Sequence, residues 1–224
     1  MKDLLTIVIP SKNEGYGIFS TLHSLACQKH LMGVRVIIAD SSTDTVSKEL
    51  LTYFPKHLLD IKIIEGGLPS VARNNGAKLA KTPYILFLDA DMVVTKPIQI
   101  YPEYDLVTCK VRTTDNYKYV YYVFDMIQRI AKYVSPFALG GYMLWNREKF
   151  EELRGFNEMD KFAEDYHISM KVAPSKFHIS NQVCMTSSRR FRNKGLWYMM
   201  RMMARSWWNR NNPEFFTDDY GYWK

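Results

Sequence analysis

The chain has 224 residues, 47% of them hydrophobic, which is enough for one α/β domain with a large core and too few for two full domains. Lys and Arg outnumber Asp and Glu by 30 to 23, and the excess is local. From Tyr166 to Pro213 there is no acid, while Lys171, Lys176, Arg189, Arg190, Arg192, Lys194, Arg201, Arg205 and Arg210 all fall there, a block that points to a phosphate-rich partner or, more plainly, to a solvated positive face.

Leu4 to Ile9 is a short apolar, β-branched run ended by Pro10, which predicts a buried strand. Ser11 to Gly15 reads as a loop, and Ile18, Leu22 and Leu25 recur at helical spacing. Val34 to Ala39 predicts a second strand that empties into the polar loop Asp40-Ser41-Ser42-Thr43-Asp44, followed by a helix over Val46 to Phe54. Ile61 to Ile64 is a third strand, Gly66 to Pro69 a turn, and Ser70 to Ala80 a third helix. Tyr84 to Leu88 is a fourth strand, running directly into Asp89-Ala90-Asp91. Strands and helices alternate, and the strands read as apolar on both faces, the pattern of a mostly parallel sheet covered by helices on both sides. Ligands bind at the carboxyl ends of such strands, where Asn13 and Glu14, Asp40 and Asp44, and Asp89 and Asp91 all fall.

The second half is less regular. Leu106 to Arg112 predicts a strand, Tyr117 to Tyr133 an aromatic-rich helix, Gly140 to Trp145 a turn into a strand, and Arg147 to Leu153 a short helix stopped by Gly155. Glu164-Asp165 opens another helix, where carboxylates suit the positive end of the dipole. Thr186 to Lys194 is polar. Beyond Gly195 an amphipathic helix is expected, with Leu196, Met200, Met203 and Trp207 on one face and Arg201 and Arg205 on another. Residues 1–194 are thus read as the main domain and 195–224 as a C-terminal amphipathic tail that packs on it or lies in a membrane interface.

Cys27, Cys109 and Cys184 are far apart, without the spacing of a zinc site or a disulfide framework, which favours a reducing compartment. The first ten residues lack the length of a signal core, and no stretch approaches a membrane span. A cytosolic location is expected, with peripheral contact to the cytosolic face of a membrane open to the tail.

Four groups of residues carry chemistry. In an extended segment, Asp89 and Asp91 point to the same side, and two carboxylates at a strand end form a hard oxygen site for Mg²⁺ or Mn²⁺. Arg73, at the start of the third helix with Asn74, is placed to hold a phosphate or to pair with a carboxylate such as Asp89. Glu164-Asp165 supplies a candidate general base. The Arg189-Arg190 pair suits diphosphate oxygens, for which guanidinium groups are better matched than ammonium groups. His167 and His178 are possible metal ligands that more often are structural.

These residues, in this order, resemble the family 2 glycosyltransferases of the GT-A fold. The resemblance runs from Leu4 to Arg192 through Thr6-Ile7-Val8-Ile9-Pro10 with Asn13-Glu14, Asp40 to Asp44, Ala72 to Gly76, Asp89-Ala90-Asp91, and Gly155-Phe156-Asn157-Glu158 with Glu164-Asp165. It implies a Rossmann-like, mostly parallel sheet and an inverting transfer of one sugar from a UDP- or GDP-linked donor to a saccharide or lipid-linked acceptor, with Mn²⁺ or Mg²⁺ and no nucleic acid. It also implies that Pro10, Glu14, Asp40, Arg73, Asp89 and Ala90 line the nucleotide-sugar pocket. Asp91, with Asp89, would serve the metal, Asp165 would be the catalytic base, and Arg189 and Arg190 would meet the diphosphate. The chain departs from many relatives in carrying Ala39 where they have the first of two acids. It also has Arg189-Arg190-Phe191 in place of the QxxRW motif of processive synthases, which points to a single transfer.

Two other readings compete. A sugar-nucleotide nucleotidyltransferase would need a Gly-rich basic loop after the first strand, where this chain has the acidic Glu14. A non-catalytic binder of anions or nucleic acid would have no use for converging carboxylates.

Overall fold

The structure, a computed structural model, describes residues 1–55, 57–218 and 220; of the tail expected over 195–224, residues 219 and 221–224 lie outside the described residues. Strand β1 (Leu5–Ser11) is followed by α1 (Tyr16–Ala26), β2 (Arg35–Asp40), α2 (Thr45–Tyr53), β3 (Asp60–Glu65), α3 (Pro69–Ala77) and β4 (Tyr84–Leu88). Then come β5 (Val93–Val94), β6 (Leu106–Arg112), α4 (Lys118–Ala131), β7 (Tyr142–Asn146), α5 (Arg147–Glu152) and α6 (Glu164–Ser169). The chain closes with β8 (Phe177–Met185), α7 (Arg189–Lys194), α8 (Leu196–Trp208) and α9 (Pro213–Thr217).

The strands form one sheet in the order β3-β2-β1-β4-β7-β6-β8-β5. Pairing is parallel among β1 to β4 and between β6 and β8; only β7 and the two-residue β5 run against the rest. Alternate residues of β1 face opposite layers. Ile7 and Ile9 join Ile18, Leu22 and Leu25 of α1, while Val8 packs with Ala77 of α3 and Phe150 of α5. Burying both faces in this way is what makes strands β1, β2 and β4 continuously apolar. Pro10 is tolerated in a central strand because the ladder to β4 ends at Val8↔Phe87, so beyond it β1 has β2 as its sheet neighbour.

The sheet departs from the sequence reading in three places. Strand β3 is not buried on both faces: it is the sheet edge, with Ile63 45% exposed. Strand β8 was not anticipated, because Ser180, Asn181 and Gln182 interrupt its apolar run where the register to β6 shifts. Residues Arg189 to Lys194, read from sequence only as a polar stretch, form a helix held by Phe191 among Tyr117, Tyr121 and Phe124 of the α4 region.

Helix α8 is rotated from the expected face. Met199, Met202 and Ser206 turn inward, while Met200 and Trp207 are exposed. Arg205 is not a solvent-facing cation either; its guanidinium lies over the rings of Phe215 and Tyr220. Met202, Phe215 and Phe216 pack around Phe162, so α8 and α9 buttress the segment that leads into α6. Cys109 and Cys184, distant in sequence, meet across β6 and β8 as buried free thiols, and burial, then each other's proximity, pushes the Cys109 thiol up. Among the described residues no helix is long and apolar enough to cross a membrane.

Candidate active site

The carboxyl ends of β1, β2, β4, β6 and β8 and the amino end of β7 lie along one edge of the sheet, and the polar motifs collect there. The two loops after β1 and β2 are laced together. The Asn13 side-chain oxygen accepts the Thr43 N–H at 2.8 Å, the Asn13 N–H donates to Ser42 Oγ, and Ser42 Oγ donates to Asp40 Oδ1 at 2.7 Å. Asn13 adopts a left-handed φ of 55° to make these bonds, which a short polar side chain tolerates. Asp44 caps α2 by accepting the Ser47 N–H at 2.7 Å. Asp40 and Pro10 are each partly exposed at this rim.

Arg73 is the centre of the site. It projects from α3, is 3% exposed, and donates from one nitrogen to Asp89 Oδ1 at 2.7 Å and from another to Glu164 Oε1 at 2.5 Å. Its plane lies over the Phe156 ring at 5.5 Å. Of the two partners expected for Arg73, the structure shows carboxylates, with the guanidinium enclosed between them. Ala90 is likewise enclosed, with its side chain in the core and its carbonyl accepting Thr21 Oγ1 at 2.8 Å, so it spaces the two aspartates rather than lining the crevice. Its neighbours Asp89 and Asp91 remain partly exposed.

Asp91 accepts a long bond, 3.4 Å, from Ser187 Oγ. Burial, then the nearby Asp89 and Glu14 carboxylates, pushes its carboxyl up to about 6, against the opposing pull of Arg189 and Arg190. Among the described residues no group of three or more His, Cys, Asp or Glu is arranged to hold a metal ion. Two carboxylates at a strand end still fit Mg²⁺ or Mn²⁺, which keep several waters and share their shell with phosphate oxygens. His167 and His178 are structural: His167 Nδ1 lies 2.6 Å from Asp160 Oδ2 with its ring stacked on Phe216, and His178 stacks on Tyr104.

Asp165 sits one residue beyond Glu164, after Ala163, whose left-handed φ of 51° turns the chain into α6. Its Oδ2 accepts the Gly140 N–H at 2.6 Å and its Oδ1 the Tyr166 N–H at 2.8 Å. Glycine at 140 lets the backbone approach closely, because a Cβ there would lie 3.0 Å from the Arg73 guanidinium and 3.1 Å from Asp165 Oδ2, so both would have to shift by a few tenths of an ångström. Burial, then Glu164, pushes the Asp165 carboxyl up to about 6, while Arg73 and the two N–H donors pull it down. A carboxylate so tuned is ionised at neutral pH yet basic enough to accept a proton.

Two features escaped the sequence reading. Asn74 clamps the segment before α6: its amide donates to the Phe156 carbonyl at 2.8 Å and its oxygen accepts the Phe156 N–H at 3.0 Å. Gly155, with φ 70°, makes room for it, since a Cβ would meet the Asn74 oxygen at 2.7 Å. The second is an ion pair across the crevice, Arg189 to both oxygens of Glu14 at 2.9 and 2.8 Å, which joins α7 to the loop after β1. Both groups were expected at the ligand, and neither carried a sequence signal that they would meet.

Residues 6–154 match the family described as Glycosyl transferase family 2. The chain is 33% identical over 89 residues to the uncharacterized glycosyltransferase YibD of Escherichia coli, a match spanning 39% of this chain and 26% of that protein. It is 32% identical over 93 residues to the putative teichuronic acid biosynthesis glycosyltransferase TuaG of Bacillus subtilis, spanning 40% of this chain and 36% of the relative. The chain thus aligns with roughly a third or less of these relatives' length. Among solved structures, the mannosyltransferase PcManGT of Pyrobaculum calidifontis, in complex with GDP-Man and Mn²⁺, superposes with a TM-score of 0.62 at 20% identity, covering 92% of this chain and 65% of that one. TarS residues 1–349 of S. aureus, with UDP-GlcNAc, gives 0.61 at 20% identity, covering 90% and 66%. These likenesses establish a GT-A-like α/β fold with a mixed, mostly parallel sheet. With the matched region covering well over half of its length, the chain belongs to glycosyl transferase family 2.

Proposed function

We propose that this chain is an inverting glycosyltransferase that moves one sugar from a nucleotide-diphosphate donor to an acceptor hydroxyl. The observation that carries the reading is the arrangement around Arg73: one buried cation holds Asp89 on the donor side and Glu164, next to Asp165, on the other. A leaving-group site and a base site are thereby fixed relative to each other by a single rigid side chain.

In this reading Pro10, Glu14 and Asp40 line the nucleotide pocket. Asp89 and Asp91 would hold Mn²⁺ or Mg²⁺, which neutralises diphosphate charge when bound. The charges of Arg189 and Arg190 oppose the rise of the Asp91 carboxyl, and in this reading both guanidinium groups meet the diphosphate. Arg189 would exchange Glu14 for phosphate oxygens, a charge-assisted bond of the same kind. Arg73 acts as a positioning residue, not a ligand. Asp165 accepts the acceptor hydroxyl's proton as that oxygen bonds to the anomeric carbon from the face opposite the donor phosphate. The bond from anomeric carbon to phosphate oxygen breaks, and its electron pair leaves with the nucleoside diphosphate. The transition state has oxocarbenium character, and the configuration inverts.

The relatives solved with GDP-Man and UDP-GlcNAc place GDP- and UDP-linked sugars first among donors to try. The acceptor is read as a saccharide or a lipid-linked saccharide at the cytosolic face of a membrane, with the Trp face of α8 as one contact. The test is thermal stabilisation by a panel of nucleotide sugars with and without Mn²⁺, since a specific ligand raises apparent stability by mass action. One donor should stabilise the wild type in a Mn²⁺-dependent manner and leave Asp91→Ala unshifted. Equal stabilisation of both proteins would remove Asp91 from the donor site.

A further inference from the structure

Helix α4 is apolar on the wrong side. Its inner face, Tyr121, Phe124 and Gln128, contacts the core, and Gln128 donates to the Phe137 carbonyl at 2.8 Å. Its outer face presents Tyr119, Tyr122, Val123, Met126 and Ile130, continued by Tyr133, each exposed, with Ile130 at 66% and Tyr133 at 72%. A helix covering a water-soluble domain normally turns charged and polar residues outward. A contiguous exposed apolar stripe of this length, about 21 Å for fourteen residues, marks an interaction surface.

Its charges identify the partner. From Lys118 to Val134 the sole acid is Asp125, and Asp125 is turned inward onto Arg112. The cations of the helix lie along the apolar stripe rather than apart from it: Lys118 over Tyr119 at 5.1 Å, Lys132 over Tyr133 at 5.3 Å, and Arg129 exposed next to Ile130. Tyr rings beside basic side chains whose stems can extend to the headgroups, flanking a Met and Ile centre, suit the boundary between acyl chains and anionic lipid phosphates. A protein partner would have to supply acids in that same row. Phe191 of the basic helix α7 is seated against Tyr117, Tyr121 and Phe124, so the Arg189-to-Lys194 segment packs directly on α4.

We propose that the outer face of α4 is a docking surface for an anionic bilayer, with the helix lying in the plane of the interface. The proposal does not depend on sugar transfer. It differs from an anchor made by α8 alone, and it would set the mouth of the crevice beside the lipid surface through α7.

The test is flotation of the full chain with vesicles of equal parts phosphatidylcholine and phosphatidylglycerol, and with phosphatidylcholine alone. Wild type should float with the anionic vesicles and much less with the neutral ones. Met126→Gln/Ile130→Gln should weaken partition at least tenfold. Arg129→Glu/Lys132→Glu should weaken it by roughly fivefold or more per residue, because each basic side chain near an anionic surface contributes about that factor. Both variants keep helix-forming residues, so circular dichroism should be unchanged, and Mn²⁺-dependent donor stabilisation should be retained as a readout independent of lipid. Trp197→Gln/Trp208→Gln on α8 should leave most of the binding. Three results would overturn the proposal: no anionic preference in wild type, full binding by the α4 variants, or a wild-type dimer that the Met126/Ile130 variant converts to monomer.

Discussion

Replacing Arg73 with Met removes the one cation that sits between Asp89 and Glu164. The two carboxylates are not equally dependent on it. The Glu164 side chain is 7% exposed and that of Asp89 33%, so water screens Asp89 and the loss falls on Glu164. Breaking a buried pair by removing one partner costs about 3–5 kcal/mol. Losing the guanidinium stacked on Phe156 adds about 0.5–1 kcal/mol. For a chain of this size each kcal/mol moves Tm by about 2–4 °C, so the total of about 3.5–6 kcal/mol should make Arg73→Met melt roughly 7–24 °C below wild type at pH 7.5. Thermal unfolding followed by circular dichroism measures this. The double variant Arg73→Met/Glu164→Gln should recover most of the loss at every pH. If the single variant melted within about 1 kcal/mol of wild type, or if Glu164→Gln gave no recovery, the buried pair would not be what holds α6 to α3.

Two further outcomes follow from the same geometry. Asn74→Ala leaves both backbone groups of Phe156 without partners in a buried site and should cost about 2–4 kcal/mol in urea unfolding, more than an exposed Asn would. Asp165, with its folded carboxyl raised to about 6 from 3.8, contributes stability that is present in acid and lost as pH rises through 6. The Tm of Asp165→Asn relative to wild type should therefore move in favour of the variant between pH 4 and pH 7.5. In the wild type, kcat/KM should fall about tenfold per pH unit below 6, because only the ionised carboxylate accepts a proton. A flat profile from pH 5 to 8 would place the base elsewhere.

The first half of the chain is legible because its elements are each set by local pattern. Tyr84 to Leu88 is buried on both faces and ends in Asp89-Ala90-Asp91, and the structure puts that motif at the carboxyl edge of the sheet as its position implied. What failed to read involves long separations. Asn74 meets Phe156 across 82 residues and Glu14 meets Arg189 across 175, and nothing in either segment alone encodes the meeting. Strand β8 hid behind three polar residues at a register shift, and α7 behind a run of arginines with Phe191 as its one anchor. The face of α8 was misjudged because apolar residues occupy both sides of it, so periodicity alone cannot tell Met199 from Met200. Arg73 is instructive for the site. Its residue type and helix position fitted a phosphate contact equally well, and its enclosure between two carboxylates is the observation behind the positioning role proposed for it.

The central claim is that Asp165 delivers an acceptor oxygen to the face opposite a departing nucleoside diphosphate. The measurement that tests it most directly is the anomeric configuration of the product by NMR, made with an α-linked donor, together with the turnover of Asp165→Asn. A β-linked product is predicted from wild type. The variant should retain donor binding with turnover lower by roughly two to four orders of magnitude, the usual contribution of a positioned general base. An α-linked product, or near-normal turnover in Asp165→Asn, would contradict the account.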